Sequence, residues 1–547
     1  MIKSRTKIEA VISIAIITLL ILPSIIGDVT ITDTAITDDT NGIMVSFAND
    51  YIDITNLSVS DNVSIGNINL KEPSGALNGY WNGSSEYIMN SNGKTWLPTE
   101  DNLQSAIWDL NSTGGTIWLP HMNLSSSNIS LDKNTLNITF IGVGSGSWLG
   151  LDDSGYGQTM FCLNKDDDPI FNLTGTGHYT NDVQSITFEN IYFYGNGYSG
   201  EAIQCIYGAD IIIENCVFRG FKSPAIDFGS VYKYKIRDND FHSCGNVTNT
   251  NATIYIHTQD GNVNTAGEIK DNLFSRGKYS SINANTQSTC VDNNYFEGWT
   301  GDYSHSFITG TFVNSEIINN FMMRNDDYGT SFVAITISSY KVTISNNEIE
   351  RAFKGIQVNS PVSGSSIISN NYLKNTSDNG IHVSNPGPDI ISFNIIEEPA
   401  QNSDWPEAGI YLQDASNTTM IGNIITNSNE YGITIRGQDE NISNVTALGN
   451  SILSESGTLS VGIKVTGDYH SVLVFNNVVE NYSARGIQFD AGLNSTNSHM
   501  SNNILNNIYQ FELPTVAPPN PEIGFCYLNA TTGLIGRYRE GGTWYWN

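Results

Sequence analysis

The sequence predicts an all-β fold, a parallel β-helix solenoid of about 13 regular coils with a helical cap at its N-terminal end and a small C-terminal β module. Three observations predict it. One motif recurs along most of the chain: an anchor, usually Asn or Asp, is followed three positions later by an aliphatic residue or Phe. The anchors are Asn190, Asn215, Asp238, Asp271, Asn293, Asn319, Asn346, Asn370, Phe393, Gly422, Gly449, Asn476 and Asn502. Thirteen copies 22 to 33 residues apart, averaging 26, are the mark of a solenoid. Within each copy apolar and polar residues alternate over four or five positions, and none sustains a 3.6-residue period, so the unit holds short strands and turns. A second phrase keeps the same beat, as Gly355-Ile356-Gln357-Val358, Gly380-Ile381-His382-Val383, Gly409-Ile410-Tyr411-Leu412, Gly432-Ile433-Thr434-Ile435, Gly462-Ile463-Lys464-Val465 and Gly486-Ile487-Gln488-Phe489. A unit with only short strands, too small for a propeller blade, leaves equivalent strands of successive coils to pair in parallel at about 4.8 Å.

The residue after the anchor is Asn in eleven of thirteen copies, from Asn239 to Asn503. Asparagines stacked at strand spacing can hydrogen-bond one another and the turn backbone, so this column is expected to hold structure and not chemistry. In the second phrase the two aliphatics face inward and the residue between them faces solvent. Earlier coils carry Ala202-Ile203-Gln204-Cys205, Ala225-Ile226-Asp227-Phe228, Thr253-Ile254-Tyr255-Ile256 and Ala334-Ile335-Thr336-Ile337. The outward column therefore reads Gln204, Asp227, Tyr255, Thr336, Gln357, His382, Tyr411, Thr434, Lys464 and Gln488. A flat row of polar and aromatic side chains suits sugar hydroxyls and sugar faces, and is also what any exposed strand face contains. Gln357, His382, Tyr411 and Gln488 are the expected substrate-binding set.

Residues 1–27 combine Lys3, Arg5 and Lys7 with an apolar run ending at Gly27. This is an export signal, cleaved or kept as a membrane anchor, and it puts the rest of the chain outside the cell, secreted or at the cell surface. Seventeen Asn-x-Ser/Thr sequons agree with an exported glycoprotein, although an Asn-, Ser- and Thr-rich chain makes many of them by chance. Six cysteines are too scattered for a disulfide-dense scaffold and leave room for one or two bridges. Residues 28–95 carry short alternating runs and are expected as an N-terminal β-rich segment. The solenoid then runs over 96–510, with regular coils at 181–510. Residues 511–547 are a Pro-rich linker and the terminal module.

The stretch TEDNLQSAIWDLNSTGGTIWLP, Thr99 to Pro120, sets Leu103, Ala106, Ile107 and Leu110 on one face of a helix with Thr99 as N-cap, then a Gly-Gly-Thr strand. It resembles the entry to the right-handed parallel β-helix, or pectate-lyase, superfamily, and with the coils the likeness covers about residues 96 to 510. The resemblance implies a right-handed solenoid and a place among polysaccharide lyases, glycoside hydrolases, adhesins and viral tailspikes. That family usually continues Pro-x-Gly-x-Tyr, whereas here Pro120 is followed by His121-Met122-Asn123-Leu124, which loosens the link to any one enzyme group. The last stretch, FCYLNATTGLIGRYREGGTWYWN, resembles the small β module that ends tail-fibre proteins. Its aromatics Tyr538, Trp544, Tyr545 and Trp546 could cap, oligomerise or stack on sugar.

Lys+Arg 25 against Asp+Glu 55 leaves a net charge of −30, which argues against a nucleic-acid partner; a polyanionic glycan would need bridging divalent cations. Phosphate-binding glycine loops, zinc-type spacings and Gly-x-Ser-x-Gly elbows are missing. The polygalacturonase-type signatures do not occur in order. The best acidic group follows the Gly-Ile-x-Val strand on successive coils. There Asp414, Asp468 and Asp490 are the expected calcium ligands, and Arg436, His470 and Asp439 the expected catalytic set, with Arg436 or His470 as general base and Asp439 also suited to calcium or hydroxyl binding. Acids in solvated turns are equally ordinary. A second group is Tyr255, His257 and Asp260 beside Asp227. The leading expectation is an exported, adhesin-like protein that binds polysaccharide or another surface along the solenoid flank. The second is a calcium-assisted polysaccharide lyase or a glycoside hydrolase. The third is a viral or provirus spike, as a homotrimer, favoured by the terminal module and disfavoured by the export signal. Membrane contact is expected only through the N-terminal apolar segment.

Overall fold

The paired asparagines of the repeat divide into two jobs. All thirteen anchors adopt a left-handed backbone, with φ between 51° and 64°. Asn, Asp and Gly enter that region at least cost, which explains the anchor composition. The following Asn turns inward. From Asn239 to Asn477 each side chain donates its Nδ2 to the Oδ1 of the next coil's Asn at 2.9–3.0 Å, ending on Asn503. Each also donates to a backbone carbonyl, as Asn371 does to Ile344 O at 2.9 Å. Asn239 through Asn477 are at most 2% exposed. Satisfied buried amides of this kind are worth about 1 kcal/mol each, and leaving one unpaired costs more.

The computed structural model describes backbone strands within residues 29–70 and 526–546. From 87 to 506 it describes backbone and side chains, except 127, 145–158, 178–181, 246–251, 278, 299–305, 325–331, 360–363, 385–386, 402–406, 456–459 and 491–497, and except the side chains of 339–340, 438–441 and 506. The export segment 1–27, the terminal module's side chains and the Asp439 side chain lie outside the described residues.

The solenoid is built from a 15-stranded sheet, here sheet A, running from Met122–Ser126 to Ile504–Asn506, and a 27-stranded sheet, sheet B. In sheet B each coil gives two strands or one long strand pairing along both, as Val333–Ser345 and Val461–Phe475 do. Coil pairs with coil in parallel and in register, for example Ile356 with Ile381 and Ile381 with Ile410. Thirteen strands of sheet A, from Tyr192–Tyr194 onward, follow the thirteen anchors.

One inward column of sheet A shows how the core changes along the chain. Phe193, Phe218, Phe241, Phe274 and Phe296 stack face to face with centroids 4.8–4.9 Å apart. The same column continues as Met322, Ile349, Leu373, Ile396, Ile425, Ile452 and Val479, all fully buried. Stacked rings match the strand spacing and add to the area they bury.

The helix α1 (Glu100–Leu110) forms as expected. The Thr99 Oγ1 accepts from Asn102 N at 3.3 Å, and Leu103, Ala106, Ile107 and Leu110 are fully buried. Residues 1–78 are a compact unit of their own with a four-stranded antiparallel sheet (Val29–Ile31 to Tyr51–Thr55) and a hairpin. Ile88–Asn90 instead pairs with Gly115–Trp118, whose next partner is the strand Leu136–Ile141 of the solenoid. Within 526–546 three strands form an antiparallel sheet. Cys162, Cys205, Cys216, Cys244 and Cys290 are free thiols, so no bridge joins these five.

Candidate functional site

The outward column expected from the sequence exists as one continuous row of sheet B. Register carries it from Asn172 through Gln204, Asp227, Tyr255, Asn283, Thr309, Thr336, Gln357, His382, Tyr411, Thr434 and Lys464 to Gln488. Asn283 and Thr309 are harder to see in the sequence because their coils read Ile282-Asn283-Ala284 and Ile308-Thr309-Gly310, with a small residue where the phrase has its second large apolar one. The row differs from expectation in exposure. Gln204, Asp227, Tyr255 and Gln357 are partly exposed, but His382 is 8%, Tyr411 6% and Thr434 1% exposed.

The accessible part of the flank centres on Asp227 and His257. His257 lies two residues beyond Tyr255 on the same strand and faces the same way. Its Nε2 is 3.1 Å from Asp227 Oδ1, and this bond raises the imidazole pKa against the opposing effect of burial. Gly229 makes the contact feasible: a Cβ there would come 3.0 Å from His257 Cε1 and 2.7 Å from Ile206 Cδ1. The Tyr255 ring stacks on the imidazole with centroids 5.0 Å apart and planes 23° apart. Gln204 Nε2 donates to Asp227 Oδ2 at 3.3 Å. Glu201, one position before Ala202-Ile203, has its carboxyl pushed up to about 7 by burial and by the charge of Asp227. Asp260 joins this neighbourhood through Tyr207, whose hydroxyl donates to its carboxylate.

The covered part of the flank is organised around His382. Lys354 Nζ stands 3.3 Å from His382 Nδ1 and 3.4 Å from Asp378 Oδ2. The His382 ring meets Tyr411 edge to face at 5.0 Å and is hydrogen-bonded by Gln413. Burial first, and the Lys354 charge second, lower the imidazole pKa to about 3, so this histidine is neutral at ordinary pH. Arg436 Nη1 donates to Tyr411 Oη at 3.3 Å. Gln357 donates to Asn359 and Gln488 to Asp490, so both amides are tied to their own strands.

The acidic group expected on the later coils is not gathered. Arg436 shares a column with Gln413 and Thr466, and Asp490, just after Phe489, falls in that column. Asp414, just after Gln413, falls in the next column with Gly437 and Gly467, and Asp468 one further. His470 pairs with Ser443, beyond a register shift between Gly437 and Ile442, and so stands off the Arg436 column. Similar spacing from the strand's glycine thus translates into a stagger across three columns. Among the described residues no three of His, Cys, Asp and Glu form a group that could hold a metal ion. Of the acids that adjoin the flank, Asp490 follows its strand and bonds Gln488, whereas Glu201 and Asp378 precede theirs, a side on which the sequence pattern gave no signal.

A search of curated proteins finds no relative of this chain. Among solved structures, the catalytic unit of a GH87 α-1,3-glucanase from Streptomyces thermodiastaticus aligns at 14% identity over 78% of this chain and 69% of that one, with TM-score 0.42. Tailspike protein 3 of bacteriophage CBA120 aligns at 10% identity over 94% and 82%, TM-score 0.35. The A-module of the Azotobacter vinelandii mannuronan C-5 epimerase aligns at 14% over 72% and 94%, TM-score 0.30. Likenesses this faint carry no functional argument. Residues 400–513 match the family model described as a right handed beta helix region, and the parallel β-solenoid to which those coils belong is the fold that description names.

Proposed function

We propose that the protein is an exported, adhesin-like surface protein that binds polysaccharide along the flank of sheet B, with its binding centre at Gln204, Asp227, Tyr255 and His257. The observation that carries this reading is the partly exposed Tyr255 ring, fixed by stacking on an imidazole that Asp227 holds in place. A flat apolar face beside oriented donors and acceptors matches a sugar ring, which has C–H faces and a polar rim. Beyond it Asn283, Thr309 and Thr336 offer one polar side chain per coil, at about the repeat of an extended glycan. The net charge of −30 favours a neutral glycan over a polyanionic one. Calorimetric titration of the chain with neutral and acidic polysaccharides tests it. Binding that drops with Tyr255→Ala supports the reading, and no binding to any glycan contradicts it.

A second reading, acid–base cleavage at the same place, is favoured by Glu201. A carboxyl that keeps its proton near neutral pH, beside the Asp227 carboxylate, provides the unlike pair of acids that glycoside hydrolysis uses. Release of new reducing ends, abolished in Glu201→Gln while binding persists, would establish it. Binding without turnover leaves the first reading alone.

A further inference from the structure

The flank of sheet B carries a second outward column, two residues along each strand from the first. Register aligns Asn285 with Thr311, Thr311 with Ser338 and Ser338 with Asn359. Beside them on the same four coils stand Asn283, Thr309, Thr336 and Gln357. All eight side chains are hydroxyls or amides, and all are at least partly exposed. The patch is bounded. On earlier coils the second column runs through Ile206, Gly229 and His257, and on later ones it passes from Ser384 through Gln413 to Arg436. Along the first column partial exposure continues over eight coils, from Asn172 to Gln357, until the buried His382 ends it.

Folding leaves the middle of this patch without partners. Among the described residues, no protein group hydrogen-bonds the side chains of Asn283, Asn285, Thr309, Thr311 and Ser338. Around them the polar side chains are tied down, Gln204 and His257 to Asp227, Thr336 to Ser306, and Gln357 and Ser384 to Asn359. An amide or a hydroxyl can both donate and accept, as a sugar hydroxyl does, so each of the five suits either sense of hydrogen bond. A sugar carboxylate would find no cation among the eight side chains to bind it.

Resting on the carbohydrate reading above, we propose that the double column selects a neutral glycan in an extended, ribbon-like form, the form of equatorially linked hexoses, lying along the solenoid axis. Two dimensions carry this. Coils advance by about 4.8 Å, and the two columns stand about 7 Å apart, the rise of two residues along a strand. An extended chain advances by nearly one coil per sugar, whereas a helical, axially linked glucan advances by much less and falls out of step with the side chains. Successive sugars of a ribbon turn over, so their hydroxyls emerge at alternate edges. A single column would meet every second sugar, and the second column meets the others. The seven coil steps from Asn172 to Gln357 make a track of roughly 34 Å, room for about seven sugars.

Calorimetric titration of the full chain with a soluble β-1,4-glucomannan, with amylose, and with β-1,4-linked oligosaccharides of increasing length tests this. The double variant Thr309→Val/Thr311→Val removes two hydroxyls and keeps the branched shape that suits a strand. The expected result is binding of glucomannan and not of amylose, with oligosaccharide affinity rising up to about seven sugars. The double variant should lose about tenfold on the longest oligosaccharide and nothing on the shortest that binds, while Tyr255→Ala weakens both. Tighter binding of amylose, affinity that stops rising at the shortest oligosaccharides, or a double variant that binds the longest one as the parent does overturns the proposal. In those cases a loss in Tyr255→Ala keeps the carbohydrate reading intact. Binding of neither polymer overturns the proposal as well, and removes the carbohydrate reading only where every other glycan also fails.

Discussion

His257 and His382 lie five coils apart on the same flank of sheet B, and the solenoid treats them in opposite ways. His257 keeps 24% of its side chain in solvent, bonds a carboxylate, and gains affinity for a proton. His382 is buried beside a lysine and loses it. Strand register decides which way a side chain points, but the neighbours one coil away decide what then covers it. The difference separates a stretch of the flank that can meet a ligand from one that is closed by its own side chains.

The largest expected effect comes from acid on the closed stretch. The folded His382 pKa, about 3, lies below the unfolded value, so the neutral form stabilises the fold fully above pH 6.5. That stability is lost as pH falls toward 3, by roughly 3 kcal/mol between pH 6.5 and pH 4. Denaturant unfolding at pH 7 and pH 4 should show a smaller acid loss for His382→Gln than for the parent; equal losses would mean that something other than burial holds this ring neutral. The Asn ladder runs past both stretches and should be indifferent to the distinction. Asn371→Ala removes the acceptor of Asn347 and the donor to Ile344 O, and is expected to cost about 2–3 kcal/mol in the same assay, with glycan affinity unchanged.

Smaller effects are expected on the open stretch. Tyr255→Ala should weaken polysaccharide binding about tenfold, or about 1.4 kcal/mol, while Tyr411→Phe, at a buried position of the same row, should leave it unchanged. Equal losses in the two would erase the contrast between open and closed flank. The smallest effect is electrostatic. Because Asp227 raises the folded His257 pKa, the pair adds stability below pH 6.5 that is lost as pH rises through the folded value. In Asp227→Asn the imidazole should titrate lower by NMR, with a change on the order of 1 kcal/mol.

Much of the solenoid was legible because its period is written in every coil. The anchors, the inward asparagines, the inward aliphatics and the Thr99-capped helix all follow from rules local to about a dozen residues, and they reappear in the backbone as read. What was not legible depends on pairs of coils. The burial of His382 and Tyr411 needs Lys354 and Gln413 from other positions. The stagger of Asp414, Asp468 and Asp490 follows from a register that equal counting from a glycine cannot supply. Gly229 gave a partial signal: a glycine one coil before a histidine in the same column leaves room for its ring, and this could have pointed to the Asp227–His257 pair.

The most direct measurement is calorimetric titration of one polysaccharide that the parent chain binds into three proteins: the parent, Tyr255→Ala and Tyr411→Phe. The expected result is affinity lost about tenfold in Tyr255→Ala and kept in Tyr411→Phe. Affinity kept in Tyr255→Ala, or lost equally in both, would contradict a binding centre on the open stretch of the flank.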